Sequence, residues 1–148
     1  MDSEHNKSIG RLISLLNKYG NVYMNEKLKD YNLGAGQYQF LMVLYQNEGL
    51  SQDEVASILK MDKGTTARAI AKLESEGYVE RKVFNTDKRV KKLYLTIKAH
   101  EFEKEIRSIL TNWKMVLANG LSTEEQNITL VLLNQIALNA EEYLDCKH

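Results

Sequence analysis

The run from residue 51 to residue 97, SQDEVASILKMDKGTTARAIAKLESEGYVERKVFNTDKRVKKLYLTI, constrains the fold more than any other part of the chain. It opens on Ser51-Gln52-Asp53-Glu54, a capping box. In such a box the Ser51 oxygen accepts from the backbone N–H of Glu54, and the Glu54 carboxylate reaches back to the N–H of Ser51. The helix it starts carries Val55, Ala56, Ile58 and Leu59 inward. After Lys60-Met61, Asp62 is suited to cap a second helix, with Ala67, Ile70, Ala71 and Leu73 as its inward residues. Small Ala56 and Ala67 would let the two helices cross closely, and Gly77 stops the second one. Residues 78–84 and 91–97 read as strands, with Val79 and Val83 on one face and Leu93, Leu95 and Ile97 alternating. Between them Asn85-Thr86-Asp87-Lys88-Arg89 is a polar turn with no apolar anchor, expected to project into solvent. Helix, tight turn, helix and ribbon make a winged helix-turn-helix. The expected class is therefore mainly α (α+β), with a two-stranded wing.

Long helices are expected on both sides of this run. The chain has no proline, so nothing forces a helix to break. Over residues 7–29, Ile9, Leu12, Ile13, Leu16, Tyr19 and Tyr23 recur at helical spacing, and Leu15, Val22 and Leu28 widen that apolar face. So broad a surface calls for packing on more than one side, including a second subunit. Asn32-Leu33-Gly34-Ala35-Gly36 is a break, and a helix follows over 36–47 with Phe40, Leu41, Val43 and Leu44 for the core, ended by Gly49. Residues 98–119 form the next helix, with Phe102, Ile106, Ile109, Leu110, Trp113, Val116 and Leu117, closed by Gly120. Ser122-Thr123-Glu124-Glu125 is a second capping box, opening a last helix to about residue 144. The 148 residues thus read as a single domain, with 7–48 and 98–144 a helical dimerisation frame and 51–97 a reader.

Charge separates the two parts. The formal net charge is zero, but residues 60–98 hold eleven Lys and Arg against five Asp and Glu, a balance of +6, leaving −6 for the remainder. A basic reader in an acidic frame points to nucleic acid, because distribution governs binding more than the total does. The second helix of a helix-turn-helix enters the major groove. Its early outward residues here are Lys63, Thr65, Thr66 and Arg68, followed by Lys72. Arg68 can give two hydrogen bonds to guanine, the threonines can touch a thymine methyl or a phosphate, and the lysines suit phosphates. The wing adds Lys88, Arg89, Lys91 and Lys92. An arginine at a narrow tip can enter the minor groove, and Asp87 can pair with it and aim it. Ser51, at the start of the first reader helix, joins the candidate DNA contacts.

These residues resemble a known family. Leu50-Ser51, Val55-Ala56, Thr66, Arg68, Leu73, Gly77-Tyr78-Val79, Arg81, Asp87-Lys88-Arg89 and Leu93-Tyr94-Leu95-Thr96 together resemble the MarR family of transcriptional regulators. The most specific part is the Asp-x-Arg of the wing, followed after three residues by Leu-x-Leu-Thr. The resemblance implies a homodimer held by the terminal helices, binding palindromic double-stranded DNA. It usually implies a repressor, and often release by a small anionic or aromatic effector bound between the dimer helices and the reader. Tyr19, Tyr23, Tyr38, Met42 and Trp113 are candidates for lining such a site, although an aromatic stripe at this spacing is also ordinary core.

Other chemistries find less in the sequence. No glycine-rich phosphate loop or nucleophile–base pair points to an enzyme. His5, His100, His148 and the single Cys146 are too scattered for a metal site, so neither metal nor other cofactor is expected. The polar first residues, the lone cysteine and the lack of an apolar run of about 20 residues lead to a cytoplasmic, non-membrane expectation. A winged-helix module that binds protein instead of DNA stays open as the alternative.

Overall fold

The computed structural model describes residues 8–83 and 90–146. Six α-helices and a small sheet follow in the order α1 (Ile9–Leu28), a 3-10 turn (Lys29–Tyr31), α2 (Tyr38–Gln46), β1 (Leu50–Ser51), α3 (Gln52–Leu59), α4 (Lys63–Ser75), β2 (Val79–Val83), β3 (Lys91–Leu95), α5 (Ile97–Ala118) and α6 (Thr123–Asp145). The chain divides into two compact units, Met1–Leu110 and Thr111–His148, with α5 running from one into the other.

The helix boundaries follow from caps. Ser51 accepts from the Glu54 N–H at 3.2 Å and its own N–H donates to Glu54 Oε2 at 2.7 Å, so the capping box of α3 is complete. Ser122 and Glu125 make the same pair at 3.1 and 2.9 Å ahead of α6. Gly77, at φ +79°, turns the chain out of α4 into β2, a conformation other residues adopt only with strain. Between α3 and α4, Lys60 itself takes the left-handed conformation (φ 54°), and the N–H of Met61 reaches the Ala56 carbonyl at 3.0 Å.

The sheet has three antiparallel strands, in the order β1-β3-β2, where the sequence suggested two. β1 is two residues long, too short for any alternation to reveal. Leu50 lies opposite Leu93 and Ser51 opposite Lys92, while β2 runs along the other edge of β3 with Arg81 opposite Leu93. Leu93 is fully buried there with Tyr78, Val79 and Leu95.

One core fills the first unit. Met24, Leu28, Phe40, Leu41, Leu44, Val55, Ile70, Leu73, Tyr78, Leu93, Phe102 and Ile106 pack together. Phe102 stacks at an angle on Tyr31 (4.5 Å between ring centres) and on Tyr78 (5.5 Å). The Tyr78 hydroxyl donates to the Tyr31 carbonyl at 2.9 Å, and that of Tyr45 donates to the Ala99 carbonyl. Burial drives the Tyr45 phenol far above the ordinary tyrosine range. Glu48 ties the end of α2 to the sheet by accepting from the Leu95 N–H at 2.8 Å.

Several inward assignments need correction. On α4 the buried face is Thr66, Ala69, Ile70 and Leu73; Ala67 is half-buried and Ala71 is exposed. The helix is rotated so that Thr66, expected to face outward, is fully buried with its hydroxyl donated to the Asp62 carbonyl at 2.9 Å. Ile58 is 55% exposed because α3 is held only by Val55, Ala56 and, in part, Leu59. Val83 shares a side with Val79 but lies beyond the core, and is exposed. Ile97 does not continue β3. The Thr96 hydroxyl donates to the Gly77 carbonyl at 2.6 Å and accepts from the Ala99 N–H at 3.2 Å, which starts α5 and turns Ile97 outward, 77% exposed.

In contrast, α1 buries only Met24 and Leu28, leaving Ile9, Leu12, Ile13, Leu16, Tyr19 and Val22 exposed. In the second unit α6 buries nothing, and Ile128, Leu130, Val131, Leu132, Leu133 and Leu138 are exposed.

The rotation of α4 can be tested with two alanines. Ala69→Leu should destabilise the chain by about 1–3 kcal/mol in urea unfolding through overpacking. Ala71→Leu should stay within about 0.5 kcal/mol of the parent. The reverse order would restore the face read from sequence.

Candidate nucleic-acid interface

The start of α4 is built on Asp62. Its backbone is extended (φ −67°, ψ 157°), and its carboxylate accepts from the Thr65 N–H at 2.7 Å through Oδ1 and from the Thr65 hydroxyl at 2.6 Å through Oδ2. The Thr65 oxygen in turn accepts from Arg68 Nη2 at 3.2 Å. Three side chains thus run in series along the exposed first turn and a half of the helix. The hydroxyl of Thr65, then its N–H, hold the Asp62 carboxyl below the usual carboxylate range, and the Arg68 charge acts in the same direction. Asp62 is the acidic group at this helix start, and none follows within the first turn, where Lys63 stands instead.

The remaining cations are spread over α4 and β3. Lys63 is almost fully exposed and lies 4.0 Å from Asp53 at the start of α3, a separation at which two solvated charges hold each other weakly. Lys72 pairs with Glu76 one turn on, at 3.2 Å. Ser51 is half-buried, its oxygen engaged in the α3 cap while its hydroxyl hydrogen can be given outward. Lys91 opens β3, exposed, opposite Val83.

Two further contributors were not singled out in the sequence. Lys82 stands directly opposite Lys92, a like-charge pair across the strands that is unfavourable unless an anion lies nearby. Lys82 also approaches Glu80 at 3.3 Å and the Tyr94 ring at 5.0 Å. The alternation of β2 held the signal, since Glu80 and Lys82 fall on the face away from Val79. Gln52 is the other. A depression between the start of α3 and the wing strands is lined by Ser51, Gln52, Asp53, Arg81, Val90 and Lys91. Arg81 is held there by Glu74 at 3.1 Å.

Of the reader residues expected from sequence, Lys63, Thr65, Arg68 and Lys72 line the outer side of α4, and Ser51 and Lys91 lie on the neighbouring elements. The Thr66 side chain is withdrawn into the core. Asp87, Lys88 and Arg89 lie outside the described residues.

The residues suggested for an effector divide differently. Tyr23 is half-buried with its hydroxyl donating to the Ile109 carbonyl at 2.8 Å, and burial raises its pKa. Tyr38 and Met42 are half-buried against the core, whereas Tyr19 is exposed on α1. Trp113, half-buried, belongs to the second unit. Among the described residues no cluster of His, Cys, Asp and Glu could hold a metal, and no helix is long and apolar enough to cross a membrane.

Comparison with known proteins gives this arrangement relatives. The model of the MarR family matches residues 31–90. An uncharacterized HTH-type transcriptional regulator of Bacillus subtilis, YybA, is 31% identical over 91% of this chain and 87% of its own length. Among solved structures, a MarR transcriptional regulator from Methanosarcina mazei is 36% identical, with 91% of this chain and 90% of that one covered at a TM-score of 0.82. A MarR family regulator from Listeria monocytogenes, complexed with 26mer DNA, is 28% identical, covering 95% and 94% at a TM-score of 0.84.

The cap of α4 makes an acid-sensitive prediction. A carboxyl whose folded pKa is depressed contributes stability above its unfolded pKa, and that contribution is lost as pH falls through the folded value. The stability difference between the parent and Asp62→Asn should therefore be largest near neutrality and shrink between about pH 5 and pH 2. Urea midpoints across that range measure it, and a difference that does not vary with pH would contradict the assignment.

Proposed function

The chain belongs to the MarR family of transcriptional regulators, and from that premise we propose that it is a homodimeric, sequence-specific double-stranded DNA-binding regulator. The observation that carries the reading is the outer side of α4. Lys63, Thr65 and Arg68 stand on its first turns and Lys72 on its last, so basic and hydroxyl side chains run along the length of the helix. A helix of this kind fits the major groove, where Arg68 would read guanine and Lys63 and Lys72 would meet phosphates. Lys72 would exchange Glu76 for a phosphate oxygen. Ser51 and Lys91 would contact the backbone from either side of the depression they line. At the wing tip, Lys88 would add a phosphate contact and Arg89 would reach the minor groove, aimed by Asp87. The Listeria relative's complex with DNA supports this use of the fold.

The homodimer accounts for the exposed apolar side chains. Residues 7–48 and 98–144 would form its frame and 51–97 the reader. A lone soluble chain rarely leaves apolar surfaces like those of α1 and α6 to water. Each subunit would then bring one reader to one half of a palindrome. In its finer form the proposal is a repressor released by a small anionic or aromatic molecule. That part rests on the family, with the half-buried Tyr23, Tyr38 and Met42 as the residues to probe, along with Tyr19 and Trp113.

Three outcomes test these statements. Arg89→Ala should weaken binding to the protein's own promoter duplex by about 1–3 kcal/mol, and unchanged affinity would remove the wing from the mechanism. The absence of any salt-dependent shift of duplex DNA in a gel would favour a protein-binding module instead. For assembly, Leu132→Glu combined with Leu12→Glu should yield a folded monomer by light scattering, while a dimer that persists would contradict the assigned frame.

A further inference from the structure

Arg68 does not extend freely from α4. Its Nη2 is tied to Thr65 Oγ1 at 3.2 Å, and its Nη1 lies over Gly64, where an added Cβ would come within 3.3 Å of that nitrogen and of Asp62 Oδ1. Thr65 has one hydroxyl hydrogen, and Asp62 Oδ2 takes it at 2.6 Å. The Thr65 oxygen is therefore left facing Arg68 as an acceptor only. The carboxylate fixes the polarity of the series, and the bare backbone of Gly64 provides the space in which the guanidinium folds toward the helix start. Most of its N–H donors remain for a base.

We propose that Asp62, acting through Thr65 and the space over Gly64, is a positioning residue that sets which base pair Arg68 reads. The inference rests on the DNA-binding reading above and adds to it a determinant of sequence preference that touches no base. Asp62→Asn isolates the effect. Asparagine is also a good N-cap, so its Oδ1 keeps the Thr65 N–H, and only the added stability of the charged cap is lost. Its Nδ2 would donate to the Thr65 oxygen where the carboxylate accepted, displacing Arg68 from that oxygen. Gly64→Ala reaches the same guanidinium from the other side. It does so while favouring the helix, since alanine has the higher helix propensity and Gly64 has no positive φ to lose.

The test is selection of duplexes from a random-sequence pool by the full-length protein and by each variant, with thermal melting and salt dependence measured in parallel. The parent should enrich a palindrome with one guanine position per half-site that Arg68→Ala erases. Asp62→Asn and Gly64→Ala should each lower the preference for that guanine by about ten- to a hundredfold, the effect of one charge-assisted hydrogen bond. Preferences elsewhere and the salt slope should stay unchanged, and Gly64→Ala should melt no lower than the parent. Thr65→Ser, which keeps the hydroxyl, should keep the preference for the guanine that Arg68 reads. If both variants retain the guanine preference, or lose preference evenly at every position, the positioning role is overturned while DNA binding stands. The same holds if Arg68→Ala leaves the profile intact. If the parent enriches no duplex, the DNA-binding reading falls and the positioning role falls with it.

Discussion

Everything in the first unit is referred to β3. This five-residue strand pairs with β2 on one edge and with the two residues of β1 on the other. Ser51 belongs at once to that pairing and to the cap of α3, so the helix-turn-helix starts from a point already fastened to the wing. The direction of α3 is set there. That of α4 follows through the left-handed Lys60 and the cap at Asp62. A backbone ladder resists sliding, because a one-residue shift would turn Leu93 and Leu95 out of the core. The basic side chains of α4 and of the wing strands therefore hold a constant spacing, as a reader of a regular duplex requires.

Around this rigid centre the chain distributes its apolar residues unevenly. Among its described residues the reader buries a compact set and exposes Ile58, Met61, Val83, Val90 and Ile97 of its larger apolar side chains. α1 and α6 are the opposite, with apolar side chains exposed along most of their length. Basic charge collects on the reader while acidic charge collects on the remainder. The two kinds of surface suit two kinds of partner, a polyanion for one and a second copy of the chain for the other.

Much of this could be read from the residues alone. Both capping boxes, the Asp62 cap, the glycine stops and the order of the helices follow from local chemistry that does not depend on the fold, and the structure contains each of them. What could not be read depended on tertiary context. β1 is too short to carry a pattern. Thr66 and Ala69 take the inward side of α4 in place of Ala67 and Ala71 because small residues on a short helix give little preference for one rotation over another. Ile97 reads as strand by alternation, yet the Thr96 hydroxyl begins a helix there. At the candidate interface, Lys63, Thr65, Arg68 and Lys72 were legible from spacing. Lys82 and Gln52 needed the register of β2 on β3 and the depression beside it.

The account comes down to two basic readers held a fixed span apart on one duplex. Hydroxyl-radical footprinting of the full-length protein on the promoter beside its own gene tests that span directly. Two protected patches related by a two-fold axis, centred about 10–11 base pairs apart or a multiple of that, are the predicted result. A single patch without symmetry, or no protection in dilute salt, would contradict it.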